Sequence, residues 1–414
     1  VPELVALALG GDRFVDALRR TWDAGDAVLP IDPRAPRAHT ERLLAALAPG
    51  AVIDDDGVRR ARPGGVPVLD GDAVVIASSG TTGMPKGAVH THDGIAAAAR
   101  ITADGCARHL AAIGAAPVEE VRWLACLPLA HVGGFSVVTR ALLGGSTLEV
   151  HDGADAGRID DAARRGATHV SLVPTLLGRV DASLWSVILL GGSTVPPDRP
   201  ARSIATYGMT ETFGGVVYDG YALDGVEVRV ADDGVVELRT PTSLRAYRHG
   251  PDGAADPTGA DPRTADGWYR TGDLGRSDPD GRLWIEGRAD DLIISGGTNV
   301  WPAPVEDVLR TDPLVADVAV VGRPDPEWGQ RVVAHVVPSD PADPPRLDDL
   351  RSLVRQHLPV AAAPKEIVLT DVLPRTSLGK IARHELVDRD PGVGGGDARQ
   401  GAGHDQGTGK AGSS

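Results

Sequence analysis

The sequence predicts a large N-terminal α/β domain of mixed sheets with helices, carrying a small β-rich subdomain, and a small α+β C-terminal domain joined to it by a hinge. Three observations predict this. Short apolar runs alternate with amphipathic helical patches through the first 200 or so residues, the rhythm of an α/β layer structure. A stretch of small residues, IASSGTTGMPKG over 76–87, leaves the end of a strand-like run. Beyond 222 the pattern shifts to short strands and turns, and beyond 290 helices return.

Composition narrows the class. The 414 residues suffice for two or three domains, and the apolar share of 42% suffices for a sizeable core. The formal charge of −15 argues against a nucleic-acid partner, which needs clustered Lys and Arg. Cys106 and Cys126 have no metal-ligand spacing and make no disulfide framework, so a cytoplasmic location is expected. The opening VPELVALALGGDRF lacks the basic and apolar regions of a signal peptide, and no stretch approaches the roughly 20 apolar residues of a membrane span. Basic residues are nearly all arginine; the lysines are Lys86, Lys365, Lys380 and Lys410.

In chain order, FVDALRRTWDAG reads as an amphipathic helix ending at Gly25, DAVLPIDPRAP as a strand entering a proline-rich loop, and HTERLLAALAPG as a helix stopped by Gly50. AVIDD follows, then the buried-strand run Ala73 to Ile76 and the small-residue loop. In that loop Ser78, Ser79, Gly80, Thr81, Thr82 and Gly83 offer backbone N–H groups and hydroxyls to an anion, and Lys86 adds a point charge. A flexible linker would have no use for the preceding strand or for Pro-Lys-Gly, and the ordinary P-loop spacing is not met.

Asp93 is positioned to cap the next helix. An apolar strand then meets a turn at 128–134 and a helix bearing Arg140. His131, beside Gly133 and Gly134, is equally readable as a functional group or as an exposed loop residue. Arg140, between FSVVT and ALL, is either half-exposed at a helix edge or kept for an anion, because burying it unpaired is costly. THVSLVP and LWSVILL are further strands, the second entering Gly191 and Gly192. In ATYGMTETFGG, Tyr207, Gly208, Thr210 and Glu211 crowd together; a Glu beside a hydroxyl suits Mg²⁺ when a nucleotide supplies more oxygens, although surface acids are common. GVEVRVADDGVVELRT is a hairpin. Asp273 in TGDLG could take a ribose diol or simply form a turn, and Arg288 and Asp290 close the next strand.

Together these motifs resemble the acyl-adenylate-forming superfamily of acyl-CoA ligases, luciferases and adenylation domains. SSGTTGMPKG looks like its phosphate loop, YGMTE its aromatic-Thr-Glu motif and YRTGDLG its ribose-binding motif. GRADDLIISGG looks like its hinge and PRTSLGK the motif ending in its catalytic lysine. The resemblance implies domains at 1–289 (AMP-binding) and 290–389 (lid), with 390–414 a disordered Gly-rich tail. It implies that the loop from Ser78 to Lys86 holds the β- and γ-phosphates and that Tyr207 stacks near adenine, with Gly191, Gly192 and Gly208 lining the nucleotide or acyl site. Thr210 would contact the α-phosphate, Glu211 bind Mg²⁺, Asp273 and Arg288 take the ribose, Asp290 act as pivot and Lys380 meet the reacting carboxylate and α-phosphate. ATP, Mg²⁺ and coenzyme A are the implied cofactors, a small carboxylic acid is the partner substrate, and homodimerisation stays open.

The short N-terminal region, with LPLAHVGGFSVVTRALLGG, narrows the likeness to the 2-succinylbenzoate–CoA ligase family of menaquinone biosynthesis, in its short actinobacterial forms. Such a substrate keeps a second carboxylate, for which His131 and Arg140 are the acyl-pocket candidates. The rival expectations are ligation of another aryl or short-chain acid, loading of a carrier protein, and non-catalytic nucleotide binding.

Overall fold

The computed structural model describes residues 1–79, 85–249, 254–375 and 381–387, with only the backbone of Ser79. Gly80, Thr81, Thr82, Gly83, Lys380 and the tail from 390 lie outside the described residues. The chain forms two compact units, Val1–Ala289 and Asp290–Ser414.

The first unit holds three sheets. One orders the strands Ala255–Ala260, Ala246–His249, Pro85–Thr91, Asp72–Ser79, Ala27–Pro30, Leu4–Leu7, Ala51–Ile53 and Arg59–Ala61. Its centre is parallel, and its strands at 4–7 and 27–30 are buried on both faces, which explains their unbroken apolar reading. The strand before the small-residue loop runs Asp72–Ser79 and turns back antiparallel as Pro85–Thr91, with Ser78 opposite Lys86. A second sheet orders Tyr221–Ala222, Gly214–Tyr218, Ser203–Met209, Val187–Leu190, His169–Leu172, Arg122–Ala125 and Thr147–Val150. The third is the antiparallel set Glu227–Val230, Val235–Arg239, Tyr269–Ser277 and Leu283–Arg288. Two strands from the turn-rich stretch after 222, Ala246–His249 and Ala255–Ala260, leave that set and extend the first sheet instead.

Helices seal the sheets. Gly11–Asp23 buries Phe14, Val15, Ala17 and Leu18, spaced to lie on one face. The chain's three phenylalanines form one edge-to-face series: Phe14 to Phe135 at 6.1 Å and Phe135 to Phe213 at 6.0 Å. That series ties helix Gly11–Asp23 to helix Val132–Gly144 and to the turn after Thr210, so it fixes the site from beneath. Cys106 and Cys126 are free and buried, and burial pushes both thiols up to about 12.

Three local expectations are corrected. The long helix His92–Ala112 is capped by the Thr91 hydroxyl, which accepts from Gly94 N at 3.1 Å; Asp93 lies inside the first turn. Helix Arg37–Leu47 ends at Ala48 in the left-handed conformation (φ 42°), before Gly50 is reached. The turn read over 128–134 is shorter, because helix Val132–Gly144 already contains both glycines.

The second unit packs helices Pro302–Leu309 and Leu347–His357 on a sheet whose long hairpin is Val315–Asp325 with Gly329–Pro338. Glu366–Leu369 joins that hairpin in parallel. Ile293–Ser295 and Thr298–Val300 turn through Gly296 and Gly297, both at positive φ (59° and 76°). Among the described residues no helix is long and apolar enough to cross a membrane.

Candidate nucleotide and acyl site

The site of the first unit is built where strand ends from its three sheets meet. From the third sheet comes Asp273, buried and directly opposite Arg288, whose Nε lies 3.3 Å from its Oδ1. From the second comes Tyr207, whose hydroxyl donates to Asp273 Oδ2 at 2.8 Å. Burial, and then the Asp273 charge, push the Tyr207 phenol far above its ordinary value, so it stays a donor. A single cross-sheet bond therefore joins two motifs 66 residues apart.

Glu211 sits in a one-turn helix, Thr210–Thr212, whose backbone is held from three directions. The ring of His90 bonds the Thr210 carbonyl at 2.8 Å, Leu244 N donates to the Glu211 carbonyl at 2.7 Å, and the Thr242 hydroxyl donates to the Thr212 carbonyl at 2.8 Å. The Glu211 side chain accepts from the Tyr247 hydroxyl at 2.7 Å, and Tyr247 meets the Tyr269 hydroxyl at 3.1 Å. Burial and the Glu211 charge raise both phenols, Tyr269 to about 12. His90 is driven down to about 4 by complete burial and is a neutral structural ring. Lys86 Nζ lies 5.3 Å from the centre of the Tyr247 ring, which brings the lysine that follows the small-residue loop and the Glu211 carboxylate to the same tyrosine.

The glycines are dictated by close approach. A Cβ on Gly208 would stand 1.9 Å from the Gly214 carbonyl oxygen, and one on Gly191 2.7 Å from the Thr206 hydroxyl; Gly192 has φ 86°.

Behind this strand lies Arg140, and it is not at a helix edge: only 8% of it is exposed. Nη1 donates to the Ser171 hydroxyl at 3.3 Å, the guanidinium lies 5.5 Å from the Trp123 ring centre, and Nε has no hydrogen-bond partner. No carboxylate pairs with it among the described residues. Nη2 comes within 3.5 Å of where a Gly214 Cβ would stand, next to the strand of Tyr207. His131 occupies the N-cap position of the helix that bears Arg140, its side chain making no cap bond.

In the second unit, Arg375 and Ile381 bridge across 376–380. Arg375 pairs with Asp317, and Arg383 donates to the buried Glu306 at 2.5 Å. Asp290, in the short turn Ala289–Asp291, is the first residue of this unit. The sequence reading missed His90, Thr242, Tyr247 and Tyr269. His90, Thr242 and Tyr247 sit in no motif, and Tyr269 opens YRTGDLG without a role of its own there; strand pairing brings them to the site.

The arrangement is fit for an adenylate. A carboxylate paired with an arginine can meet a diol, and a lysine with a hydroxyl-rich loop can meet phosphates. Among the described residues no three His, Cys, Asp or Glu side chains gather as a metal site. A lone Glu211 fits Mg²⁺ only where phosphate oxygens and water supply the remaining ligands, which is the habit of that ion.

Comparison with known proteins gives the family. The AMP-binding enzyme family model matches residues 66–238, and the model of the AMP-binding enzyme C-terminal domain matches 304–380. A protein of Mycobacterium tuberculosis named probable 2-succinylbenzoate–CoA ligase is 38% identical over 399 residues, covering 91% of this chain and 94% of that one. An indoleacetate–CoA ligase of Aromatoleum aromaticum is 34% identical, covering 75% of this chain and 65% of its own. In fold, the chain is similar to the Bacillus subtilis o-succinylbenzoate CoA synthetase solved with its acyl-adenylate, with TM-score 0.80 and 24% identity over 94% of this chain and 88% of that one. With 38% identity along nearly the whole of such a relative and both family models matched, the chain belongs to the AMP-binding enzyme family, whose members include acid–CoA ligases.

Proposed function

We propose that this chain is an AMP-forming acid–CoA ligase acting on 2-succinylbenzoate, ATP and coenzyme A. In the first half-reaction a substrate carboxylate oxygen attacks the α-phosphorus of ATP and pyrophosphate leaves. In the second the coenzyme A thiol, giving up its proton, attacks the acyl carbon and AMP leaves. The protein's part is positioning and charge stabilisation. Ser78, Lys86 and the loop between them would hold the β- and γ-phosphates, and Tyr207 would flank adenine. Thr210 would meet the α-phosphate, and Asp273 with Arg288 the ribose. Mg²⁺ bound at Glu211 would neutralise phosphate charge. Lys380 would bring an ammonium to the reacting carboxylate, and Asp290 would be the pivot of the lid.

One observation carries the choice of acid: Arg140 is buried behind the nucleotide strand with no carboxylate partner among the described residues. A buried guanidinium without a counter-charge is costly, and the second carboxylate of a dicarboxylic substrate would neutralise it. The test is acid-dependent pyrophosphate release with 2-succinylbenzoate and with monocarboxylates such as indoleacetate. Arg140→Leu should lower kcat/KM for the dicarboxylate by about 100-fold or more while sparing the KM for ATP. The indoleacetate relative makes monocarboxylate ligation the second reading. Turnover of a monocarboxylate but not of 2-succinylbenzoate by the wild-type protein would establish it.

A further inference from the structure

We propose that His249 is a ligand of the terminal phosphates of the nucleotide, acting beside Lys86. The proposal rests on the ligase reading above and adds a residue that belongs to none of its motifs.

The strand register makes the argument. Pro85–Thr91 pairs on one side with Asp72–Ser79, Ser78 facing Lys86, and on the other with Ala246–His249, Tyr247 facing Ala88. In an antiparallel pair residues directly opposite share a face, and so do residues two apart on one strand. The regular pairing ends at Tyr247 with Ala88, but the Arg248 Cβ still lies 3.4 Å from where a Gly87 Cβ would stand, so His249 follows beside Lys86, whose charge acts on its ring. Ser78, Lys86 and His249 thus form a row across three adjacent strands. Tyr247, on the same face, already carries the Lys86 ammonium over its ring and the Glu211 carboxylate on its hydroxyl. The row therefore faces the polyphosphate side of the site.

The intervening residue fixes that orientation. Arg248 points to the opposite face and is fully buried there. Its guanidinium donates to the carbonyls of Leu47 at 2.8 Å, Pro67 at 3.0 Å and Val66. With Arg248 clamped on one face, His249 has no freedom to leave the other. Yet among the described residues neither ring nitrogen of His249 has a hydrogen-bond partner, and both are shielded from water. A shielded imidazole without partners is unfavourable unless something arrives to bond it. His90, on the neighbouring strand, has a visible structural bond to Thr210; His249 has none.

Burial first, then the charges of Arg248 and Lys86, hold the His249 ring below its ordinary pKa. It is neutral at rest, with one N–H to donate. A phosphate oxygen supplies the acceptor, and its negative charge offsets the two cations beside the ring.

Equilibrium binding of MgATP and of AMP by calorimetry tests this without the acid. His249→Leu should weaken MgATP by about tenfold to a hundredfold and leave AMP within about twofold, because AMP lacks the terminal phosphates. His249→Asn, which keeps an N–H donor, should recover part of the loss. Unchanged MgATP affinity in His249→Leu, or equal losses for MgATP and AMP, would overturn the proposal while leaving the ligase reading intact. Failure of the wild-type protein to bind MgATP at all would overturn both.

Discussion

Asp273 does what its turn-like setting in TGDLG does not announce: it is buried, paired with Arg288 and bonded by Tyr207. Tyr207→Phe removes the bond that aims the carboxylate. It should raise the KM for ATP about tenfold with a smaller change in kcat, read from initial rates. His90 gives a pH dependence of known sign. Its folded value of about 4 lies below the ordinary 6.5, so the stability it contributes is complete above pH 6.5. As pH falls toward 4 the unfolded chain takes a proton that the native ring refuses, and on the order of 3 kcal/mol is lost. His169, held near 4 by burial, acts in the same direction. Urea titrations at pH 7 and pH 5 should show a smaller loss in His90→Gln than in the wild type; parallel losses would contradict the assignment.

Elements were legible in the sequence where apolar periodicity was strong. The run Ala73 to Ile76 and the hairpin around Asp232-Asp233-Gly234 fall where the pattern put them. Helix starts were less legible, since Thr91 and Asp93 are both good caps and only the backbone path decides between them. Thr91→Ala should lower stability by about 1 kcal/mol, visible as a drop in Tm. The sequence singled out Tyr207, Glu211 and Asp273, and the structure sets Tyr207 against Asp273. Their supports, Tyr247 and His90, were not singled out, because their meaning comes from pairing with strands more than a hundred residues away and leaves no local trace. Gly208 shows the same limit from the other side: its necessity lies in the Gly214 carbonyl across the bulged pair. Gly208→Ala should destabilise the fold by about 1–3 kcal/mol, since backbone rather than a flexible side chain must move.

At the scale of the whole molecule, the chain is two units with separate cores, the chain passing from one to the other between Ala289 and Asp290. If one catalytic centre serves both half-reactions by rotation about Asp290, Lys380→Ala should cripple adenylation about 100-fold or more yet spare thioester formation from supplied acyl-adenylate. Equal loss in the two steps would count against rotation. The cysteines turn this from a kinetic inference into something directly visible. With Cys106 and Cys126 enclosed and their thiols near 12, the native protein presents maleimides with almost no reactive sulfur at neutral pH. A thiol introduced at exposed Val58 and another at exposed Val360 would be the two addressable handles, one on each body. A fluorophore pair attached there would report whether the second unit moves against the first between ATP and coenzyme A, and a distance unchanged by either ligand would contradict rotation.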